Sequence, residues 1–323
     1  MVDDEGRQCP CMMDVVITGP PGFTQGCIYQ LAGVRRFAAA TGAARPRGRS
    51  VPEGPEIRLA ADRIAKVLVN HEIREAQLTL PGLLPFRERL IGANVTAVDT
   101  RGKSMLTRFD NGLTLYSHNQ LYGRWYVTRR DRTPRTRRSL RVALHTDSHS
   151  AWLYSATDIA VLTSVQLRDH PFLHKLGPDV LDSALRPTDI RVRLEQPAFH
   201  RRSLAALYLD QSFLAGIGNY LRSEILFVAG MHPSSRPRDM SQADRLRLAR
   251  ATLTVGQRAY ELRGVTVTRE MAASLKRQGQ RYRQYRHWVF ARGGKACRQC
   301  GTAIERDTFA GRTLFWCPSC QPA

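Results

Sequence analysis

Four cysteines near the end of the chain form the motif whose chemistry is most specific. Cys297 and Cys300 make one Cys-x-x-Cys pair, and Cys317 and Cys320 make a second pair after a gap of 16 residues. Where thiols stay reduced, four thiolates at this spacing suit a tetrahedral Zn²⁺ better than two disulfides. All four ligands would come from the protein, so the pattern predicts one structural Zn²⁺ with no position open for catalysis.

Four further motifs place polar or reactive residues beside glycine or proline. In chain order they are Pro52-Glu53-Gly54-Pro55-Glu56, Arg101-Gly102-Lys103, His118-Asn119-Gln120-Leu121-Tyr122-Gly123 and Gly216-Ile217-Gly218-Asn219-Tyr220. Each alone has a structural explanation: a helix start with acids near the positive end of the dipole, a β-turn, a turn with a buried tyrosine, and a tight interhelical turn. A chemical role follows only from their combination.

Net charge indicates the kind of partner. The chain has 49 Lys and Arg against 28 Asp and Glu, a formal charge of +21. A charge this large costs self-repulsion and is usually kept where the partner is a polyanion, so we expect nucleic acid. General solubility, or an arginine bias from a GC-rich genome, would also explain the charge. No stretch approaches the roughly 18 apolar residues that span a bilayer, and the acidic N-terminus lacks the basic region of a secretory signal. We therefore expect a soluble intracellular protein.

The elements that must position the motifs change character along the chain. Apolar residues predict a helix from Pro55 to Asn70, with Ile57, Ala60, Ala61, Ile64 and Leu68 on one face. From Asn94 to about Leu162 the pattern changes to about eight short strands, with a two-residue hairpin loop at Asn111-Gly112. This predicts an N-terminal β-sandwich flanked by helices.

The second half of the chain is predicted to be helical. Leu204, Leu207 and Tyr208 share one face, and Leu221, Ile225 and Val228 share another. Ser241 and Asp244 make a capping box. The expected organisation is α+β and multidomain: an extension over 1–51, a β-sandwich over 52–170, a linker over 171–187, a helical domain over 188–285 and a four-Cys zinc finger over 286–323.

In this order, and followed by the cysteine module, the motifs resemble the formamidopyrimidine-DNA glycosylase/endonuclease VIII family. The resemblance covers residues 52–323. It is closest to the bacterial endonuclease VIII branch, because the motif at Pro52 is Pro-Glu-Gly-Pro-Glu and Gln120, Leu121 and Tyr122 are contiguous. The sibling branch usually starts Pro-Glu-Leu-Pro-Glu and disperses the intercalating residues. The turn at Gly216–Asn219 then corresponds to the family's helix–two-turn–helix.

The resemblance implies a bifunctional DNA glycosylase and abasic-site lyase of base-excision repair. A secondary amine at Pro52 would attack C1′ of the damaged nucleotide and form an iminium, and Glu53 would donate a proton as the sugar opens. Lys103 would transfer a proton in β-elimination. Arg312, at the tip of the zinc-finger hairpin, would hold the lesion's phosphate and is linked to δ-elimination.

DNA contacts are implied in the same way. The damaged nucleotide must be extruded from the duplex, and Gln120, Leu121 and Tyr122 would fill the space that it leaves. Asn219 and the backbone amides at the start of its helix would hold a phosphate. Lys175 matches a family position that is usually arginine; it keeps the charge but loses the bidentate fork.

The expected substrate is double-stranded DNA containing oxidised bases or abasic sites, with oxidised pyrimidines favoured. The expected protein is a monomer without a membrane partner, located in the bacterial cytoplasm and associated with the nucleoid through DNA binding. The alternatives are a non-catalytic binder of damaged or distorted DNA and, more weakly, a zinc-ribbon RNA-binding or ribosome-associated protein, which would not explain Pro52-Glu53, Lys103 and Asn219 together.

The position of Pro52 conflicts with this chemistry. Inside the chain its nitrogen is a tertiary amide and cannot form an iminium, so the chain as written is predicted to be inactive as a lyase. Residues 1–50 lack a sustained apolar period, and Cys9, Cys11 and Cys27 lack a metal-like partner set. We expect that the extension over 1–51 is removed or is never made. We favour the alternative that the extension is never made. An internal GUG codon is translated as valine, the residue at position 51, whereas GUG as a start codon is read as methionine. A methionine before Pro52 would be a good substrate for N-terminal removal.

Overall fold

The computed structural model describes residues 51–323. The extension expected over 1–51, with Cys9, Cys11 and Cys27, lies outside the described residues except for Val51, which is exposed. Among the described residues, no helix is long and apolar enough to cross a membrane.

The first part of the described chain is a sandwich of two four-stranded antiparallel sheets. Its helices and strands are α1 (Gly54–Leu68), β1 (Glu75–Leu78), α2 (Arg87–Leu90), β2 (Val95–Arg101), β3 (Ser104–Phe109), β4 (Leu113–His118), β5 (Arg124–Arg129), β6 (Leu140–His145), β7 (His149–Tyr154) and β8 (Asp158–Thr163). One sheet has the order β1-β6-β7-β5 and the other β2-β3-β4-β8. The predicted sandwich is confirmed, but only seven of its eight strands lie in the predicted range from Asn94 to about Leu162, because β1 precedes it.

Helix α1 packs its apolar face against the sandwich core. Ile57, Ala61, Ile64 and Leu68 are buried in one cluster with residues of both sheets, as their helical spacing predicts. This packing places the N-terminus of α1, and with it Pro52 and Glu53, at the edge of the sandwich.

The hairpin between β3 and β4 has a three-residue loop, so the predicted two-residue loop is wrong. Asp110 leaves the ladder because its carboxylate accepts hydrogen bonds from the backbone amide and the side chain of Asn94, at 3.1 and 2.9 Å. Gly112 then takes the left-handed conformation, with φ at 79°, and the loop resembles the type I turn followed by a left-handed residue that is common in three-residue hairpins.

The second part of the chain is helical and ends in a small hairpin. Its elements are α3 (Ser164–Arg168), α4 (Pro171–His174), α5 (Pro187–Glu195), α6 (Leu204–Leu207), α7 (Asn219–Ala229), α8 (Gln242–Glu261), α9 (Arg269–Arg277), α10 (Tyr282–Tyr285), β9 (Glu305–Phe309) and β10 (Arg312–Trp316). The expected linker over 171–187 contains α4, and its Val180 amide donates to Ala215 O while Ala215 N donates to Pro178 O.

Helix α7 lies at the centre of the helical part. Leu221 and Ile225 are buried as predicted, but Val228 is 37% exposed. The prediction that Val228 shares a buried face was wrong because α7 is buried on nearly all sides and Val228 lies on the one side that faces solvent, between the buried residues Phe227 and Ala229.

Helix α8 begins with half of the predicted capping box. Ser241 Oγ accepts from the amide of Asp244, but the carboxylate of Asp244 accepts from the Ser241 hydroxyl and not from its amide. Aspartate is one methylene shorter than the glutamate that completes such a box.

Candidate active site

The carboxylate of Glu53 lies at the N-terminus of helix α7. It accepts hydrogen bonds from the amides of Gly218 at 2.7 Å, Tyr220 at 2.8 Å and Leu221 at 3.2 Å. A Cβ on Gly218 would lie 2.4 Å from Glu53 Cδ, so only glycine leaves room for the carboxyl group. The predicted role of the helix-start amides in phosphate binding is therefore wrong for these three, because Glu53 occupies them.

Burial controls the acidity of Glu53. Desolvation raises its pKa to about 7, although the charge of Lys103 and the hydrogen bonds from Tyr220 and Leu221 act in the opposite direction. A carboxyl group with a pKa near the ambient pH can both hold and release a proton.

The start of helix α1 contacts the turn that precedes α7. The amide of Gly54 donates to Gly216 O at 2.8 Å, and a Cβ on Gly54 would lie 3.1 Å from Gly216 Cα. Gly216 itself has a φ of 94°, which favours glycine. These close backbone contacts place the half-buried Pro52 beside this turn.

Lys103 reaches the same turn from the sandwich. It follows Gly102 in the β2–β3 turn, and its Nζ donates to Ile217 O at 2.7 Å. Burial lowers its pKa, the charge of Glu53 raises it, and the charge of Arg312 lowers it further. The structure thus brings Glu53, Lys103 and Arg312 into one electrostatic group.

Arg222 joins the turn to the zinc-finger hairpin. It is fully buried, and its Nη2 donates to Asn219 Oδ1 at 2.6 Å and lies 3.4 Å from Arg312 O. Asn219 Nδ2 donates to Thr313 O at 2.7 Å. Burial lowers the pKa of Arg222 to about 10, so its guanidinium is still charged at neutral pH. Asn219 is therefore held by protein contacts, and Arg312 is exposed on the strand that Arg222 supports.

The segment after β4 lies at the surface. Leu121 and Tyr122 are 61% and 63% exposed, and Gln120 has a φ of 47° and accepts from Thr157 Oγ1 at 3.0 Å. Arg138 donates to Tyr122 O. This conformation exposes an apolar and an aromatic side chain side by side.

The loop starts close to Lys103. His118 ends β4 opposite Ser104, the residue after Lys103. Burial lowers the pKa of His118, the charge of Asp158 raises it, and the charge of Lys103 lowers it again. Lys175 is exposed after helix α4.

Glu56, to which the sequence analysis gave no role in the site, completes the group. The carboxylate of Glu56 accepts from the amide of Glu53 at 3.0 Å and from Tyr220 Oη at 3.0 Å, and lies 3.6 Å from Arg286. Glu56 had been assigned only to the helix dipole. The sequence signal that could have identified its contact with the Glu53 amide is its position three residues after Glu53, as in a capping box.

The four cysteine sulfurs lie within 4.8 Å of one another. The Cys297–Cys320 and Cys300–Cys317 sulfur distances are 3.9 and 3.4 Å. Zn–S bonds of about 2.3 Å in a tetrahedron require sulfurs about 3.8 Å apart, so these residues fit one structural Zn²⁺. Strand β10 leads directly into Cys317, which connects the metal site to the strand of Arg312.

Three family models match successive parts of the chain. The model of the formamidopyrimidine-DNA glycosylase N-terminal domain matches residues 51–158, and the H2TH domain of formamidopyrimidine-DNA glycosylase matches 176–271. A zinc finger found in FPG and IleRS matches 294–323. The matches follow the sandwich, the helical part and the cysteine module.

Curated relatives match over their whole length. The chain is 45% identical over 271 residues to an endonuclease 8 of Escherichia coli and 44% identical over the same length to an endonuclease 8 of Salmonella dublin. Each match covers 84% of this chain and 100% of the relative.

Solved structures share the fold. Lactococcus lactis formamidopyrimidine-DNA glycosylase, bound non-covalently to DNA containing an AP site, superposes with a TM-score of 0.69 at 20% identity. MutM in complex with DNA containing carbocyclic 8-oxo-G superposes with a TM-score of 0.70 at 21% sequence identity. Both matches cover 84% of this chain and 100% of the other.

Proposed function

The chain belongs to the formamidopyrimidine-DNA glycosylase/endonuclease VIII family and is a DNA glycosylase and abasic-site lyase of base-excision repair; from that premise we propose that the amine of Pro52 is its nucleophile. A free secondary amine attacks C1′, the base leaves, and an iminium joins the proline to the opened sugar. An α-amine has an ordinary pKa of about 8, so part of it is neutral near pH 7. The proposal requires a form of the protein that begins at Pro52.

Glu53 is proposed as the acid of the first step. Its pKa of about 7 leaves a protonated fraction at neutral pH, and it lies next to Pro52 in the chain. The proton goes to the ring oxygen of the sugar as the C1′–O bond breaks. The three amide donors then stabilise the carboxylate that remains.

Lys103 is proposed to move the proton in β-elimination. The iminium acidifies C2′; removal of a C2′ proton forms a double bond, and the bond from C3′ to the 3′ phosphate breaks. Because burial lowers the pKa of Lys103, a larger fraction of its amine is neutral, and thus able to accept a proton, than for an exposed lysine. A second elimination at C5′ releases the 5′ phosphate, and Arg312 is proposed to bind the lesion's phosphate.

The exposed segment after β4 supports a role in base extrusion. Gln120, Leu121 and Tyr122 are proposed to enter the duplex at the lesion, with Leu121 as the wedge and Tyr122 as the stacking surface. Lys175 and the remaining Nδ2 hydrogen of Asn219 are proposed to contact the backbone. The substrate is proposed to be double-stranded DNA with oxidised pyrimidines or abasic sites, bound by a monomer in the bacterial cytoplasm.

One observation carries the proposal: three groups contact the same segment, residues 216–221. They are the side chain of Glu53, the side chain of Lys103 and the backbone amide of Gly54, two residues after Pro52. The test compares the full chain with protein beginning at Pro52, each incubated with an abasic duplex and borohydride. We expect a covalent adduct and cut strands only where Pro52 is the first residue. Retention of the duplex without an adduct by both forms would instead indicate a non-catalytic DNA binder.

A further inference from the structure

Asp179 lies between the sandwich and the helical part. It belongs to the segment after α4 and forms an isolated parallel bridge with Ala215, the residue before the glycine turn. The sequence placed it in a linker, yet its backbone neighbours are fixed: Val180 N donates to Ala215 O at 3.1 Å and Ala215 N to Pro178 O at 2.8 Å.

The carboxylate of Asp179 holds the turn that carries Lys103. Its Oδ2 accepts from the amide of Gly102 at 2.6 Å, and its Oδ1 accepts from the amide of Leu181 at 2.9 Å. The first bond joins residues 77 positions apart, across the boundary between the sandwich and the helical part. Burial raises the pKa of Asp179, whereas the hydrogen bonds from Leu181 and Gly102 act in the opposite direction because they stabilise the ionised carboxylate.

Gly102 makes this contact possible. Its φ is 60°, and a Cβ there would lie 3.1 Å from Ala215 Cβ and 3.3 Å from Gly216 N. The turn is therefore packed directly against the segment from Ala215 to Gly218. Lys103, the next residue, donates to Ile217 O within the same segment.

A cavity beside Asp179 gives the turn room to move. It has a volume of about 690 Å³ and is lined by Arg58, Arg101, Gly102, Asp179 and Tyr260, among others. Since space and solvent adjoin the turn, packing on that side does not fix its position. The hydrogen bond from Gly102 and the contact with Ala215 do.

We propose that Asp179 is a positioning residue for Lys103, which sets the place of its Nζ relative to the iminium during β-elimination. The inference rests on the function proposed above for Lys103. Among the described residues Asp179 makes no hydrogen bond to Pro52 or Glu53, so we expect its loss to slow formation of the iminium much less than β-elimination. Loss of Asp179 thus separates two steps that use the same active site.

The experiment measures both steps in single turnover on an abasic duplex, with the form of the protein that forms the borohydride adduct. For Asp179→Ala we expect the rate of adduct formation to stay within about threefold of the wild type. We expect strand cleavage to slow by on the order of 10- to 100-fold, the effect of misplacing a reacting group by about 1 Å. Asp179→Asn keeps an acceptor for the Gly102 amide, so we expect it to slow strand cleavage less than Asp179→Ala does.

Asp182→Ala is the matched control. Asp182 lies in the same segment and lines the same cavity, and among residues 51–323 its carboxylate accepts a hydrogen bond only from the nearby amide of Ala184. We expect it to leave both rates unchanged. If Asp179→Ala fails to fold, Asp179→Glu replaces it: the charge stays but the carboxylate moves by one methylene, and the same selective loss of cleavage is expected.

Equal slowing of adduct formation and cleavage in the Asp179 variants, or no slowing of either, would overturn the inference. A wild-type protein that forms no adduct would instead refute the proposed function. Lys103→Gln provides the reference: combined with Asp179→Ala, it should slow cleavage no further than Lys103→Gln alone, and additive losses would also contradict the inference.

Discussion

Glu53 Oε2 lies 2.7 Å from the amide of Gly218, and a side chain on Gly218 would enter the space of the Glu53 carboxyl group. The two residues are 165 positions apart and come from the two halves of the enzyme. The helical half thereby shields the Glu53 carboxyl group from water and fixes its orientation.

Gly218→Ala should disable this arrangement. Its Cβ would meet Glu53 Cδ at 2.4 Å, so Glu53 must leave the amides. We expect excision of a damaged base to slow by on the order of 100-fold or more and overpacking to cost about 1–3 kcal/mol of unfolding free energy. Single-turnover kinetics and thermal unfolding measure the two effects. Gly82→Ala, which places its Cβ in open space, is the control, and equal behaviour of both variants would contradict the contact.

Glu53→Gln tests the acid by its pH dependence. Because the pKa of Glu53 is raised to about 7, its protonated fraction falls as the pH rises above 7, whereas the neutral fraction of the Pro52 amine rises until the pH passes its ordinary pKa of about 8. Base excision should therefore decline at still higher pH, where only the loss of the protonated acid continues. The glutamine variant should be slower by about 10²- to 10⁴-fold and should lack this decline. On a pre-formed abasic site the loss should be smaller. A decline at high pH that persists in Glu53→Gln would assign it to another group.

Arg222→Leu should loosen the finger strand from the turn. The substitution leaves Asn219 Oδ1 and nearby carbonyl oxygens without a donor, at about 1–3 kcal/mol each. We expect a lower Tm and weaker binding to an abasic duplex, with zinc content unchanged. Arg250→Leu, on the exposed side of α8, is the control. Full DNA affinity in Arg222→Leu would show that the finger strand is held by other contacts.

Leu121→Ala should reduce extrusion of the lesion without changing stability. Leu121 is 61% exposed, so its truncation removes little buried area. Extrusion of the nucleotide costs a few kcal/mol. If Leu121 fills the space that the nucleotide leaves, its truncation should slow base excision by about 10- to 100-fold. Leu84→Ala, 52% exposed elsewhere on the sandwich part, is the comparison. Unchanged excision by Leu121→Ala would exclude a wedge at this position.

Removal of the metal should abolish strand cutting. The four cysteines fit one Zn²⁺, and we expect metal analysis to give one zinc per chain. A strong chelator should unfold the hairpin that carries Arg312, and added Zn²⁺ should restore binding and cleavage. Cys317→Ser should behave like the chelated protein. Full cleavage by metal-free protein would contradict the coupling between the finger and the active site.

The sequence predicted those features that local spacing determines. Cysteine spacing indicated the zinc site, and the alternation from Asn94 to Leu162 indicated the sandwich. The motif at Pro52 identified Glu53, but not where its carboxylate would lie. No local pattern could show that the amides before and within α7 donate to Glu53, because that contact depends on how the two halves pack.

The same limit applies to the residues that were missed. Arg222 is followed by Ser223 and Glu224 in α7, and a run of polar residues in a helix is normally placed at the surface. Its partner Arg312 O is 90 positions away. Asp179 followed a proline and a glycine, which favours a loop, and its link to Gly102 spans 77 positions. Val228 was assigned to the core because its spacing matched Leu221 and Ile225, although its side chain lies on the one exposed side of α7.

The dependence of Glu53 on Gly218, Tyr220 and Leu221 has a consequence during synthesis. A nascent chain that has emerged only as far as the sandwich would expose Glu53 to water, where a glutamate has a pKa of about 4.3 and is ionised at neutral pH. Such a chain carries the proline but has no proton to give to a sugar. The buried acid forms only after the ribosome has delivered α7, so a partial chain lacks the proton donor that we propose for base excision.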